Sequence, residues 1–366
     1  MKKIMFFIGS MSWGGAEKVI SILANVYAKR GWDVTIVMVL SNKITYKLDN
    51  RIKTISIARE NKSRAKNLLY WIRRIKNLLK TFKPDYIVSF VCRINILVLL
   101  AKGLSRYKCR TVVSERNDPR FDGRGKLACF LANRLYPKAD SIICQSTQEK
   151  DFFSKKVQEK MAIIFNPVEL KASPTPFASK VHVIINAARF EASKNQMMLI
   201  DAFSTIVREN NNRDFVLEIY GSGSLKENLV NRVKELDMED YVFIKDSILD
   251  IQQKLADSSI FCLTSNYEGM SNSLMEALLL GTPSISTNVS GSSDLIFDGK
   301  NGFIVNIGNT EQLKDKIVEL IQNESIRKQM HEYCLNEKFR QLFGSSIADY
   351  QRCIEGDFMP NKKSVG

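Results

Sequence analysis

Short β-branched and apolar runs alternate with helix-length segments along the whole chain, and this rhythm restricts the fold more than any other feature. KIMFFIG leads to a helical pattern over 16–30, DVTIVMVL follows, and TISIA precedes a helical pattern over 62–82. DYIVSF then leads to 94–104, RTVVS to 124–136 and DSIIC to 148–156. Strands separated by helices of this length are joined by right-handed crossovers, so they pair in parallel and bury the sheet between helical layers. The segment NPVELKASPTPFASK, 166–180, holds three of the eight prolines, which no helix interior or central strand accepts, and reads as an interdomain linker. After it the rhythm restarts with VHVIINAARF, DFVLEIYGSG, YVFIKD, SIFCLTS, TPSISTN and GFIVNI, each followed by a helical pattern. The expected class is α/β. Two Rossmann-like domains, residues 1–168 and 181–336, face each other across a cleft, and 337–366 is a C-terminal helix that packs back towards the first domain. Ligands of such sheets lie at the carboxyl ends of the strands, which here would line the cleft.

A length of 366 residues suits two cores better than one. No apolar run approaches the roughly 20 residues that span a bilayer. The opening MKKIMFFIGSM lacks a small-residue cleavage site and ends in a glycine turn, so it reads as a first strand. Seven scattered cysteines with no C-x-x-C pair, and only two histidines, argue against a zinc site and for a reducing cytoplasm. The net charge of +15 is lopsided: residues 1–170 carry 33 Lys and Arg against 13 Asp and Glu, a balance of +20, and the remainder −5. An anionic partner for the first half follows, and an acidic membrane surface fits better than nucleic acid, for which no recognition motif is present.

Several stretches carry chemistry. Gly14 and Gly15 in GSMSWGGAEKVI separate the first strand from its helix, where outward N–H groups suit a phosphate; a plain tight turn uses the same residues. The pattern is not G-x-G-x-x-G, which argues against a nicotinamide enzyme. Arg189 and Lys194 in NAARFEASKNQ follow the first strand of the second half and suit a departing diphosphate, or else are solvated loop charges. Gly221 and Gly223 in YGSGS follow the next strand. In NYEGMSNSLMEALLLG, Glu268 lies in a loop after a strand and Glu276 about a turn into a helix, with the N–H groups of Gly269, Met270, Ser271 and Asn272 between them. Both acids also suit ordinary turn and surface-helix positions.

This combination resembles the retaining glycosyltransferases of family 4, whose GT-B architecture has two facing Rossmann domains. The matching elements are GGAE, the Arg189 and Lys194 pair in RFEASKN, YGSGS, the two glutamates in EGMSNSLME, and GSSDLIFDGKNGFIV at 291–305. The resemblance implies that Glu276 holds the ribose hydroxyls of a nucleotide-sugar and Glu268 a hydroxyl of the donor sugar. Arg189, Lys194, Gly14, Gly15 and the 269–272 amides would bind diphosphate or sugar. It also implies catalysis without a divalent metal or other cofactor, the co-substrate being a UDP-linked sugar. Many relatives carry a histidine after the fifth strand of the first domain. Here SERNDPR puts Arg116 and Asn117 in that neighbourhood, so Arg116 is a phosphate or acceptor candidate, or else forms a structural salt bridge with Glu115 or Asp118.

The stretch AKNLLYWIRRIKNLLKTFK, 65–83, aligns Leu68, Ile72, Ile75, Leu79 and Phe82 on one stripe. Lys66, Arg73, Lys76 and Lys80 fall on a neighbouring face, with Arg74 beside them and Trp71 near the start. Such a helix lies on an anionic leaflet with an interfacial tryptophan, or packs on the sheet with a solvated basic face. It also looks like the basic helix of enzymes that extend lipid-linked oligosaccharides, where cations meet the lipid pyrophosphate. The expected enzyme therefore moves a hexose or N-acetylhexosamine to a polyprenyl-linked surface glycan at the inner face of the membrane. The alternatives are a same-fold transferase with a soluble acceptor and a catalytically silent glycan-assembly or lipid-binding subunit.

Overall fold

The computed structural model describes residues 1–12, 14–59, 64–210, 214–248 and 250–357, with the side chains of 64–66 and Asn210 outside the description. Seven parallel strands form the first sheet: β1 (Lys3–Ile8), β2 (Asp33–Met38), β3 (Lys53–Ser56), β4 (Tyr86–Phe90), β5 (Arg110–Ser114), β6 (Ser141–Cys144) and β7 (Met161–Ile163). The second has six: β8 (Val181–Ala187), β9 (Val216–Gly221), β10 (Val242–Asp246), β11 (Ser258–Leu263), β12 (Ser284–Thr287) and β13 (Gly302–Val305). Their orders are β3-β2-β1-β4-β5-β6-β7 and β10-β9-β8-β11-β12-β13. Each order reverses once, between β1 and β4 and between β8 and β11, so helices leave those two points on opposite faces and the strand ends there stay uncovered.

The chain divides into two units, residues 1–167 with 345–366, and residues 168–344. In the first, side chains alternate across β1. Ile4, Phe6 and Ile8 join the helices Gly15–Lys29 and Ser346–Glu355, while Met5 and Phe7 join the helices Arg64–Phe82 and Cys92–Ser105. The stretch expected as one C-terminal helix is two: Glu337–Gly344 belongs to the second unit, and Ser346–Glu355 sets Tyr350, Cys353 and Ile354 in the first unit's core. The proline-rich segment is laid along the second unit. Lys171 N donates to Gln252 Oε1 at 2.7 Å, Thr175 Oγ1 to Asp257 Oδ1 at 2.6 Å, and Lys180 Nζ to Ser258 O at 3.0 Å.

Two local expectations change. The pattern at 148–156 breaks into the helices Thr147–Asp151 and Lys155–Gln158, and Met161–Ile163 adds a strand too short to stand out by periodicity. The basic helix takes the sheet-packed alternative. Ile75 and Leu79 are buried, Ile72 and Phe82 pack on the core, and Trp71 turns inward to donate Nε1 to Ile57 O at 3.2 Å. From Ile72 on its apolar stripe is thus spent on the sheet, while Leu68 at its start stays exposed. Arg73, Arg74 and Lys80 remain exposed and Lys76 half-buried, and the side chain of Lys66 lies outside the described residues.

Gln145-Ser146-Thr147-Gln148-Glu149 closes a helix N-terminus reciprocally. Ser146 Oγ accepts from Glu149 N at 3.1 Å, and Glu149 Oε2 accepts from Gln145 N at 2.8 Å. Glu149 is fully buried, and burial pushes its carboxyl up to about 8; the Gln145 N–H opposes this, the Glu115 charge adds to it and Arg116 opposes it. Between the ordinary glutamate range and that value the unfolded chain carries a charge that the folded one lacks, so stability falls as pH rises through this window and levels off above it. Glu149→Gln, which keeps the accepting oxygen, should be more stable than the parent by a margin that widens from about pH 5 to pH 8 and then stays constant, as read by urea denaturation.

Candidate active site

The loops leaving β8 and β11, the two strands flanking the second sheet's reversal, are joined by a short ion pair. Lys194 Nζ lies 2.6 Å from Glu268 Oε1, with the two side chains 13% and 11% exposed. Ser265 Oγ donates to the same carboxylate oxygen at 2.7 Å. Asn266 stitches the loops further: its N–H donates to Ser193 O at 2.8 Å, its Nδ2 to Ala192 O at 3.1 Å, and its Oδ1 accepts from Asn195 Nδ2 at 3.2 Å. Asn195 has a left-handed backbone, φ 45°, which asparagine tolerates. It turns the chain from Lys194 into the helix Gln196–Asn210.

The helix Asn272–Leu279 follows the Glu268 loop. Ser271 is its N-cap, accepting on Oγ from Leu274 N at 3.3 Å. Met270 and Ser271 are buried, and Glu276, in the second turn, is only 5% exposed, so it is no surface-helix acid. The helix start is buttressed by the matched GSSD segment: a Cβ on Gly291, φ 82°, would sit 2.9 Å from Gly269 O. Amides at a helix start carry partial positive charge, here beside a lysine and two acids.

Gly221 and Gly223 let two backbones touch. A Cβ on Gly221 would fall 2.0 Å from Ala188 O, and one on Gly223, φ 152°, 2.4 Å from Phe190 O. Phe190 N donates to Ser222 O at 2.8 Å across the same contact. The turn after β9 thereby supports the segment carrying Arg189 and Lys194. Arg189 itself is splayed: its side chain is 62% exposed and Nη1 pairs with Glu191 Oε1 at 2.7 Å. The structure pairs Lys194 with Glu268, buries Glu276 in the helix that follows the Glu268 loop, and leaves Arg189 paired with its own neighbour.

In the first unit, Gly14 has an extended backbone and lies against Tyr46, whose hydroxyl donates to Gly14 O at 2.9 Å and lies 3.3 Å from Gly14 N. Gly15 opens the helix Gly15–Lys29, with Glu17 in its first turn. Val91, after β4 at the first reversal, has φ 74°, a strained conformation for a β-branched residue. Neither Tyr46 nor Val91 stands out in the sequence, because one is distant along the chain and the other is a backbone property.

Arg116 is 6% exposed and does not take the salt bridge expected with Glu115 or Asp118. Those acids are claimed by Arg124, 2.5 Å from Glu115 Oε2, and by Arg120, 2.5 Å from Asp118 Oδ2. Arg116 Nη1 donates instead to Asn166 Oδ1 at 3.1 Å and Tyr350 Oη at 2.8 Å, while Nε and Nη2 are buried without a hydrogen-bond partner. Asn117 is exposed beside it. His182 lies in β8 stacked on Phe215, and His331 is buried with Nδ1 2.6 Å from Gly281 O. Among the described residues no three His, Cys, Asp or Glu are placed to hold a metal ion.

The family model described as Glycosyl transferases group 1 matches residues 169–336, and that described as Glycosyltransferase Family 4 matches residues 13–172. A Campylobacter jejuni alpha-1,4-N-acetyl-D-galactosaminyltransferase, named for a PP-undecaprenol-linked glycan, is 26% identical over 342 residues, which cover 90% of this chain and 92% of its own. The amylovoran biosynthesis glycosyltransferase AmsD of Erwinia amylovora is 24% identical with 96% of both chains covered. Among solved structures, Anabaena HepE in complex with UDP superposes with a TM-score of 0.76 at 17% identity, covering 96% of this chain and 99% of that one, a likeness of fold. With two Rossmann-like units and both halves matched, the chain is a glycosyltransferase of the family 4, GT-B type.

Proposed function

We propose that the enzyme is a retaining glycosyltransferase that moves a hexose or N-acetylhexosamine from a UDP-linked sugar to a lipid-linked bacterial surface glycan. The observation that carries this is the Lys194–Glu268 pair set beside the start of the helix Asn272–Leu279 at the second sheet's reversal. When the bond from the sugar C1 to the diphosphate breaks, its electron pair goes to the phosphate oxygen. Lys194 and the amides of residues 269–272 are the groups that stabilise that charge. The acceptor hydroxyl oxygen forms the new bond to C1 and gives up its proton to the departing diphosphate oxygen. Glu268, fixed by Lys194 and Ser265, accepts from a donor-sugar hydroxyl, and the buried Glu276 accepts from the ribose hydroxyls. Arg189 joins the diphosphate by leaving Glu191, an exposed pair that costs about 1 kcal/mol or less to open.

Retention of configuration rests on the family resemblance. The UDP donor is supported by the HepE complex, and the lipid-linked acceptor by the Campylobacter relative. On the first unit, Arg73, Arg74, Lys76, Lys80 and Asn117 are the acceptor-side candidates, at a peripheral position on the inner membrane face. No step is assigned to a metal ion.

A thermal-shift screen of UDP-, GDP- and ADP-sugars should single out UDP-sugars, a donor at about a hundred times its Kd adding roughly 2.7 kcal/mol of stability. Lys194→Ala and Glu268→Gln should each lower turnover about 10²–10³-fold, and Glu276→Gln should weaken UDP binding at least about tenfold. Turnover should withstand EDTA. Absence of any nucleotide-sugar shift in the parent enzyme would reject the donor assignment.

A further inference from the structure

The first unit has a surface that the donor site does not use. Helices Arg64–Phe82, Cys92–Ser105 and Lys126–Leu135 lie side by side on one face of the sheet. Together they contain ten Lys and Arg and no Asp or Glu. Because each follows a strand of a parallel sheet, each begins at the carboxyl-end edge. At that edge, large apolar side chains stand in water: Leu127 is 72% exposed, Phe130 65% and Phe121 49%, with Leu68 and Leu69 near the start of the neighbouring helix.

Arg93 and Lys126, at the starts of their helices, are exposed cations, and Arg120, also exposed, is paired with Asp118. The acids nearest in sequence are withdrawn: Asp118 and Asp122 are buried in ion pairs with Arg120 and Arg124, and Glu115 is buried against Arg124 and Tyr136. Exposed Asp85 and Asp140 precede β4 and β6 and so lie at the opposite edge. Among the described residues, an apolar knob flanked by cations and with its nearest acids ion-paired complements an anionic bilayer, whose headgroups meet the cations while its acyl boundary takes the apolar groups. An acidic protein partner would match the charge but not reward Leu127 and Phe130 exposed at 72% and 65%. Among the described residues no helix is long and apolar enough to cross a membrane, so contact by these helices stays at the surface.

We propose that the first unit docks on anionic lipid through the start of the helix Lys126–Leu135 and the turn before it, with Phe121, Leu127 and Phe130 entering the headgroup boundary. This rests on the lipid-linked acceptor proposed above, and it gives that acceptor's membrane a specific landing surface. The basic helix Arg64–Phe82 contributes charge from beside the knob, its own apolar stripe from Ile72 on being taken by the sheet.

The test is co-sedimentation with phosphatidylcholine–phosphatidylglycerol vesicles against pure phosphatidylcholine. The parent should bind the mixed vesicles, less so as salt rises. Leu127→Asp/Phe130→Asp should lower partitioning by roughly tenfold or more, whereas Leu104→Asp, equally exposed but at the opposite edge, should behave as the parent. The double variant should keep the parent's UDP-sugar thermal shift, which separates loss of docking from failure of the donor assignment. Equal binding by the double variant and the parent overturns the proposal, as does equal loss in Leu104→Asp. So does sizing chromatography in which the parent is a dimer that the double variant dissolves with vesicle binding unchanged.

Discussion

The molecule depends on how a parallel sheet must be wired. Right-handed crossovers force the chain to grow outward from a first strand in one direction and then in the other, so one pair of neighbouring strands in each unit has no helix crossing its carboxyl ends. In the second unit that gap lies between β8 and β11, and the two loops there are short enough to share an ion pair between Lys194 and Glu268. Two unit charges brought close in a partly dry place stabilise one another but also hold each other in position. The fold thus holds a lysine and an acid at one point, and the hydroxyl of Ser265 donates to the same carboxylate oxygen.

The first unit uses charge differently. After β5 the chain carries three acids and three arginines in close succession, and all but Arg116 neutralise one another: Arg120 binds Asp118, and Glu115 and Asp122 both bind Arg124, whose side chain is 2% exposed. Burial opposes the charge of Arg124, but the Asp122 and Glu115 carboxylates outweigh it and hold its pKa above the ordinary value. Such clusters are costly to desolvate and punishing to break, typically about 3–5 kcal/mol for loss of one partner. Their effect is geometric: the loop is fixed, its acids are hidden, and the surface beyond it is left basic.

Much of this was legible in the sequence because it depends on local periodicity. Strand runs, βα turns and the proline segment are short-range signals, and Lys194, Glu268 and Glu276 follow from their positions after strands. What escaped depends on distance or on competition. The pairing of Arg189 with Glu191, two residues on, leaves no mark in the sequence pattern. For Trp71 the sequence leaves a membrane interface and packing on the sheet both open, and the sheet wins because burial there is continuous with the core. Arg116 has Glu115 and Asp118 close by in sequence, yet Arg124, nine residues on, takes Glu115, and Arg120, as near to Asp118 as Arg116 is, takes Asp118. The strain at Val91 leaves no trace in residue type at all.

The path of the chain's end has a consequence for how the molecule is made. Tyr350, Cys353 and Ile354 sit in the same core as Ile4, Phe6 and Ile8, and Tyr350 also holds Arg116. During synthesis these residues emerge after the entire second unit has left the ribosome. That unit has every strand and helix it needs by residue 344 and can consolidate first. The half translated earliest therefore waits with one flank of its sheet uncovered, and its maturation is timed by the arrival of the last helical turns.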